Sequence, residues 1–189
     1  IIMVLGMFPT TVFAAGDTAT ITLTSDKDEL TVGDKFAVTA ELSGNTGFAA
    51  MTLEIDWNEE TVKFNGFSTY YDEDLEEDCL ESEVIIPSYN PVVNDEQGII
   101  TLARSKDSTK NGVLFVANFE VIAEGDCEIS LVKEFPEFTY KKANGSDHPV
   151  TFDETGIEGL SSAVVVESAV IALTSDKDEL TVGDKFAVT

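Results

Sequence analysis

The chain has 189 residues, 36 of them acidic and 11 basic, for a formal net charge of −25. A surface this negative repels nucleic acid and anionic lipid, and no apolar run reaches the ~20 residues that a membrane-spanning helix needs. One histidine and two separated cysteines leave no zinc-ligand spacing.

Residues 1–15 are apolar and uncharged and close on Val12-Phe-Ala14, a small-residue pattern suited to signal peptidase. They read as the remnant of an export signal, and the rest of the chain as secreted or cell-surface attached, extracellular protein. The segment Ile21–Thr39 returns as Ile171–Thr189 with a single change, Thr22 to Ala172. A spacing of 150 positions is the size of an autonomous domain and far longer than a solenoid unit. Residues 16–170 are therefore expected to form one domain, and 171–189 the start of a second, truncated repeat of it.

Within the domain, apolar and polar residues alternate with period two, the mark of half-buried strands. The first run carries Ile21 and Leu23, the second Phe36, Val38, Ala40 and Leu42, and the third Met51, Leu53, Ile55 and Trp57. Further strands are expected at 61–70, 84–93, 98–104, 113–123, 127–132 and 161–170. That makes nine. No window of a dozen residues holds a helical period, so the fold class is all-β: a nine-stranded antiparallel β-sandwich. With 161–170 as the last strand, almost no linker separates the domain from its repeat.

Two insertions interrupt the scheme. Asp72–Glu83 has eight carboxylates in twelve residues; lacking the glycine turn and ligand order of a calcium loop, it reads as a loop or short helix shedding charge into solvent. Residues 133–159 hold Phe135, Phe138, Tyr140 and Phe152 around the turn Asn144–His148, and alternation in 138–140 and 150–152 predicts a hairpin flap.

Catalysis needs a positioned base, nucleophile or metal, and the inventory is thin. His148 stands in a turn before Pro149, and carboxylate pairs among 36 acids carry no specificity for glycoside hydrolysis. The domain is read as non-catalytic, with no metal site and no cofactor. A disulfide between Cys79 and Cys127 is open to an exported protein, though a domain of this size does not need one. Carboxylates beside Cys79 would raise its pKa. Polysaccharide is a second candidate partner, through stacking on Tyr70, Tyr71 and Tyr89, because Trp57 falls in phase with the inward residues of its strand.

Several stretches together resemble a family. Gly47–Phe64 contains Trp57-Asn-Glu-Glu-Thr-Val-Lys-Phe64, Leu30–Val38 contains Gly33-Asp-Lys-Phe-Ala-Val38, and Gly98–Ser108 is followed by Gly112–Ile122. These resemble the hallmark strands of cohesin domains, the repeated modules of cellulosomal scaffolding proteins, over most of residues 20–170. The resemblance implies a jelly-roll sandwich whose partner is the dockerin domain of secreted glycoside hydrolases, with calcium carried by the dockerin. It also implies docking on one sheet, through outward residues of the third, fifth, sixth and eighth strands. Alternation then supplies the partner-binding candidates. With Met51, Leu53 and Ile55 inward, Ala50, Thr52, Glu54 and Asp56 face out; with Ile100 and Leu102 inward, Thr101, Ala103 and Ser105 do. Where the family places an Asn and an Asp to hold a dockerin hydroxyl, this sequence has Ala50 and Thr52. A surface adhesion or carbohydrate-binding repeat is the alternative function.

Overall fold

The computed structural model describes residues 18–132, 140–147 and 149–163. Residues 1–15, read above as an export signal, residues 171–189, Phe135, Phe138 and His148 lie outside them. In chain order the strands are β1 (Ala19–Ser25), β2 (Leu30–Thr31), β3 (Lys35–Ser43), β4 (Phe48–Trp57), β5 (Val62–Phe67), β6 (Thr69–Asp72), β7 (Glu77–Leu80) and β8 (Val92–Asn94). There follow β9 (Ile99–Ser108), β10 (Gly112–Val121), β11 (Gly125–Asp126), β12 (Ile129–Leu131), β13 (Tyr140–Lys141), β14 (Val150–Gly156) and β15 (Ser161–Ala163).

These strands form two main layers. One sheet runs β14-β1-β3-β10-β5; the other runs β12-β4-β9-β8, with β13 also pairing β4. Their inward residues share one core. Ile21, Leu23, Val38, Ala40, Leu114, Ala117 and Phe119 come from the first sheet, and Met51, Leu53, Ile55, Ile100 and Leu102 from the second, all at most 2% exposed. The all-β sandwich is as the alternation predicts, because a period-two strand with one apolar face must bury that face against another sheet. At the end of the core, Phe119 stacks on Phe36 (centroids 5.5 Å apart) and meets Phe64 at 5.3 Å and Trp57 at 6.3 Å.

Departures from the predicted elements have local causes. The sandwich is antiparallel except where β14 lies parallel to β1 and β15 parallel to β2. Of the expected strand 84–93, only Val92 and Val93 pair, as part of β8. Pro87 and Pro91 have no N–H to donate, Pro87–Tyr89 is a 3-10 turn, and Asn90 is left-handed at φ 51°. Val84 and Ile85 are buried all the same: their N–H groups donate to Ser82 Oγ, which donates to Val113 O at 2.8 Å. The acidic run is part turn and part strand. It supplies the turn and second strand of the hairpin β6–β7, with Tyr70 opposite Cys79 and Asp72 opposite Glu77.

The predicted flap divides. β13 pairs with β4 in one sheet and β14 with β1 in the other, so β13 and β14 do not pair with each other, and an antiparallel bridge between Lys141 and Asp147 closes only the turn. Burial of Tyr140 (9% exposed), 6.2 Å from the Phe152 ring, favours this arrangement over an exposed two-stranded ribbon. Of the predicted last strand, Ser161–Ala163 pairs β2 and β11, and 164–170 lie outside the described residues.

The opening motif Thr31-Val-Gly-Asp34 has a physical role. Gly33 takes φ +94°, a conformation that suits glycine. The Asp34 carboxylate accepts hydrogen bonds from the Thr31 N–H and hydroxyl (2.8 Å each) and from Lys27 Nζ (3.0 Å). Those donors hold its pKa at about 2, the Lys27 bond contributing most and the Thr31 bonds next.

Candidate functional site

The outward surface of β4 and its neighbours is assembled by strand register. Ala50 stands between Lys141 and Ala103, Thr52 opposite Thr101 with Val92 beyond, Glu54 opposite Ile99 with Asn94 beyond, and Asp56 opposite Ser130. The centre of this face is small, hydroxylic and apolar. Thr52 Oγ1 and Thr101 Oγ1 lie 3.4 Å apart, Thr52 is 8% exposed, and Val92 is 67% exposed at the sheet edge.

Six of the seven residues expected outward, Ala50, Thr52, Glu54, Asp56, Thr101 and Ala103, lie on this one face. Ser105 does not share its register. The β4–β9 pairing slips after Ala103, with Phe48 next opposite Ser108, so alternation no longer fixes the direction of residues 104–107. Arg104 lies with its guanidinium 3.5 Å from the centre of the Tyr89 ring. Beyond the slip, the buried Asn45 side chain donates to Ser108 O (3.0 Å) and Lys110 O (2.8 Å) and accepts from the Gly47 N–H, pinning this end of the sheet. At the opposite end, Asn58 Nδ2 and Thr61 Oγ1 both donate to Asp126 O, which fixes the turn after Trp57.

No family model and no curated protein matches the chain by sequence. Solved structures do match in shape. The cohesin CaCohA2 from Clostridium acetobutylicum superposes with a TM-score of 0.51 at 13% identity, over 79% of this chain and 92% of that one. The second type II cohesin module of the adaptor ScaA scaffoldin of Acetivibrio cellulolyticus gives 0.50 at 17%, over 82% and 92%. The sixth cohesin of scaffoldin B from the same organism, in complex with a mutant Cel5 dockerin, gives 0.50 at 17%, over 77% and 97%. The chain has the cohesin fold.

Within that cohesin fold, β4, β8, β9 and β12 are the third, fifth, sixth and eighth strands of the sequence reading, and they make up one sheet. Alternation could have added Ile99 to the outward set, since its neighbour Ile100 is inward. Val92, Asn94, Ser130 and Lys141 were beyond its reach, because their place depends on which strands pair.

Other candidate residues of the cohesin-like domain fall elsewhere. Tyr89 is 9% exposed, under Arg104, and Trp57 packs against the core with its ring 5.0 Å from Phe64. Tyr70 and Tyr71 are exposed but are successive residues of β6 and point to opposite faces of the hairpin. The expected tyrosines therefore form no common stacking surface. Cys79 and Cys127 are free and buried. Burial first, then Asp72, Glu77 and Asp78, pushes the Cys79 thiol up. Among the described residues, no helix is long and apolar enough to cross a membrane.

Proposed function

We propose that this chain is a non-catalytic, cohesin-like module of an exported scaffolding protein, and that its partner is the dockerin of secreted polysaccharide-degrading glycoside hydrolases. The observation that carries the reading is the joining of β12, β4, β9 and β8 in one sheet with a small, uncharged centre built from Ala50, Ala103, Thr52 and Thr101. A face of this kind is desolvated at low cost, because methyl groups and hydroxyls that already face each other leave no charge stranded. Comparison with the scaffoldin B cohesin, which was solved with a dockerin bound, supports the choice of partner.

On this reading the dockerin brings its own calcium. The exported module, repeated along the chain, displays several enzymes outside the cell. Here Ala50 and Thr52 stand where the family's Asn and Asp would hold a dockerin hydroxyl, so the partner is read by apolar and hydroxyl contacts.

Isothermal titration of the full chain with the dockerins encoded by the same genome tests this reading, once with calcium and once with chelator. Saturable binding that needs calcium is the expected result. If the genome encodes dockerins and none binds, the reading falls.

A further inference from the structure

The docking face differs at its two ends. Eight basic residues lie among the described ones, and five of them, Arg104, Lys106, Lys110, Lys141 and Lys142, fall in two stretches at the Ala50–Ala103 end. A hydrogen bond from the Ala143 N–H to Asp107 Oδ1, at 2.7 Å, ties those stretches together. Asp107 and Asp147 offset only part of this charge, Asp147 as the ion-pair partner of Lys141. At the other end stand Glu54, Asp56 and Glu128, and residues 54–60, 93–99 and 124–130 contain no Lys or Arg. In a chain of net charge −25, a basic end on one sheet is a local exception.

From Ala50 to Asp56 the strand spans ~20 Å at ~3.3 Å per residue. That is more than two Debye lengths of about 8 Å at physiological ionic strength, so each end acts on the nearest part of a partner without being cancelled by the other. Flat sheet faces of small side chains fix direction poorly by shape alone. Opposite charges at their two ends fix it, since a reversed partner meets like charge twice.

We infer that this face is electrically polarised along β4 and β9 and accepts its dockerin in one direction only, partner carboxylates lying over the basic end around Lys141 and partner cations over Glu54 and Asp56. The inference rests on the dockerin reading above.

The test uses the full chain and whichever dockerin the wild type binds, titrated at low and at high salt. Lys106→Glu with Lys141→Glu, and separately Glu54→Lys with Asp56→Lys, should each weaken binding at least tenfold at low salt, and the loss should shrink at high salt. Lys63→Glu, on the other sheet, should change it less than twofold. Thermal melts check that each variant is folded. If both charge-reversed pairs bind as the wild type does while Thr52→Arg loses binding, the face is the docking site but charge does not orient the partner, and the polarity inference is overturned alone. If Thr52→Arg also binds normally, or if no dockerin binds the wild type, both readings are overturned.

Discussion

The two outer faces of the sandwich stand on the same core and yet carry different chemistry. On the β14-β1-β3-β10-β5 sheet the outward rows are Thr151, Thr20 and Ser43; Asp153, Thr22 and Glu41; Thr24, Thr39 and Val116; and, at the far end, Lys63, Glu120 and Lys35. Hydroxyls and alternating charges make this a solvated surface. On the β12-β4-β9-β8 sheet the centre is alanine, threonine, isoleucine and valine, and charge is confined to the two ends. Strand alternation alone would treat the two faces alike. The difference lies in which residues the register places side by side, and it is why the second face is the one proposed to be covered.

The largest effect should come from the support the faces share. Phe119→Ala removes the ring that meets Phe36, Phe64 and Trp57 and should cost about 3–5 kcal/mol in denaturant unfolding, weakening both faces together. If only one sheet lost protection in hydrogen exchange, the single-core description would be wrong.

The comparison itself is sharpened by placing the same side chain on each face. Thr52→Arg puts an unpaired charge into the docking centre and should weaken dockerin binding by about 2 kcal/mol or more. Thr39→Arg, on the solvated face, should alter binding and stability by no more than about 0.5 kcal/mol. Equal losses in calorimetry would erase the distinction.

Gly98 ends the turn before β9 at φ +65°, and a Cβ there would come within 2.6 Å of Ile55 Cγ2 and 3.0 Å of Trp57 Cζ3. Gly98→Ala should cost ~1–3 kcal/mol through overpacking and the left-handed backbone. The strain falls beside Glu54 and Ile99, so binding should suffer beyond the loss of stability.

The smallest effect concerns Asp34. Its carboxylate is held at about 2, below its ordinary value of 3.8, so its ionised form favours the folded state. That contribution is present in full above pH ~4 and is lost as pH falls toward ~2. Stability curves of the wild type and Asp34→Asn should differ at neutral pH and converge across that window, with dockerin binding at neutral pH unchanged.

How far each region was legible follows from the range of the forces involved. Alternation in Met51, Leu53 and Ile55 identified β4 and its outward set, because in a strand the side-chain direction is a local property. It gives no direction at Ser105, where a register slip resets the phase, and it failed at 84–93, where two prolines break pairing though Val84, Ile85 and Tyr89 are buried. The acidic run Asp72–Glu83 looked unfit for a strand, yet its middle, Glu77–Leu80, pairs as one, with Glu77 and Asp78 exposed and Cys79 and Leu80 buried. Tyr140 and Phe152 did alternate as strands do, but their partners lie in different sheets.

What the sequence by itself determined is the period of each strand, hence its buried and outward faces, together with the turns and the excess of negative charge. Tertiary structure alone decided the pairing: that β4 lies between β12 and β9, that β14 runs parallel to β1, and that two lysine-bearing stretches meet at one end of the β12-β4-β9-β8 sheet. The reason is physical. Side-chain alternation is fixed by local backbone geometry, whereas the choice of neighbour is made by burying all the apolar faces in one core at once, a sum over contacts distant in the chain that no single segment contains.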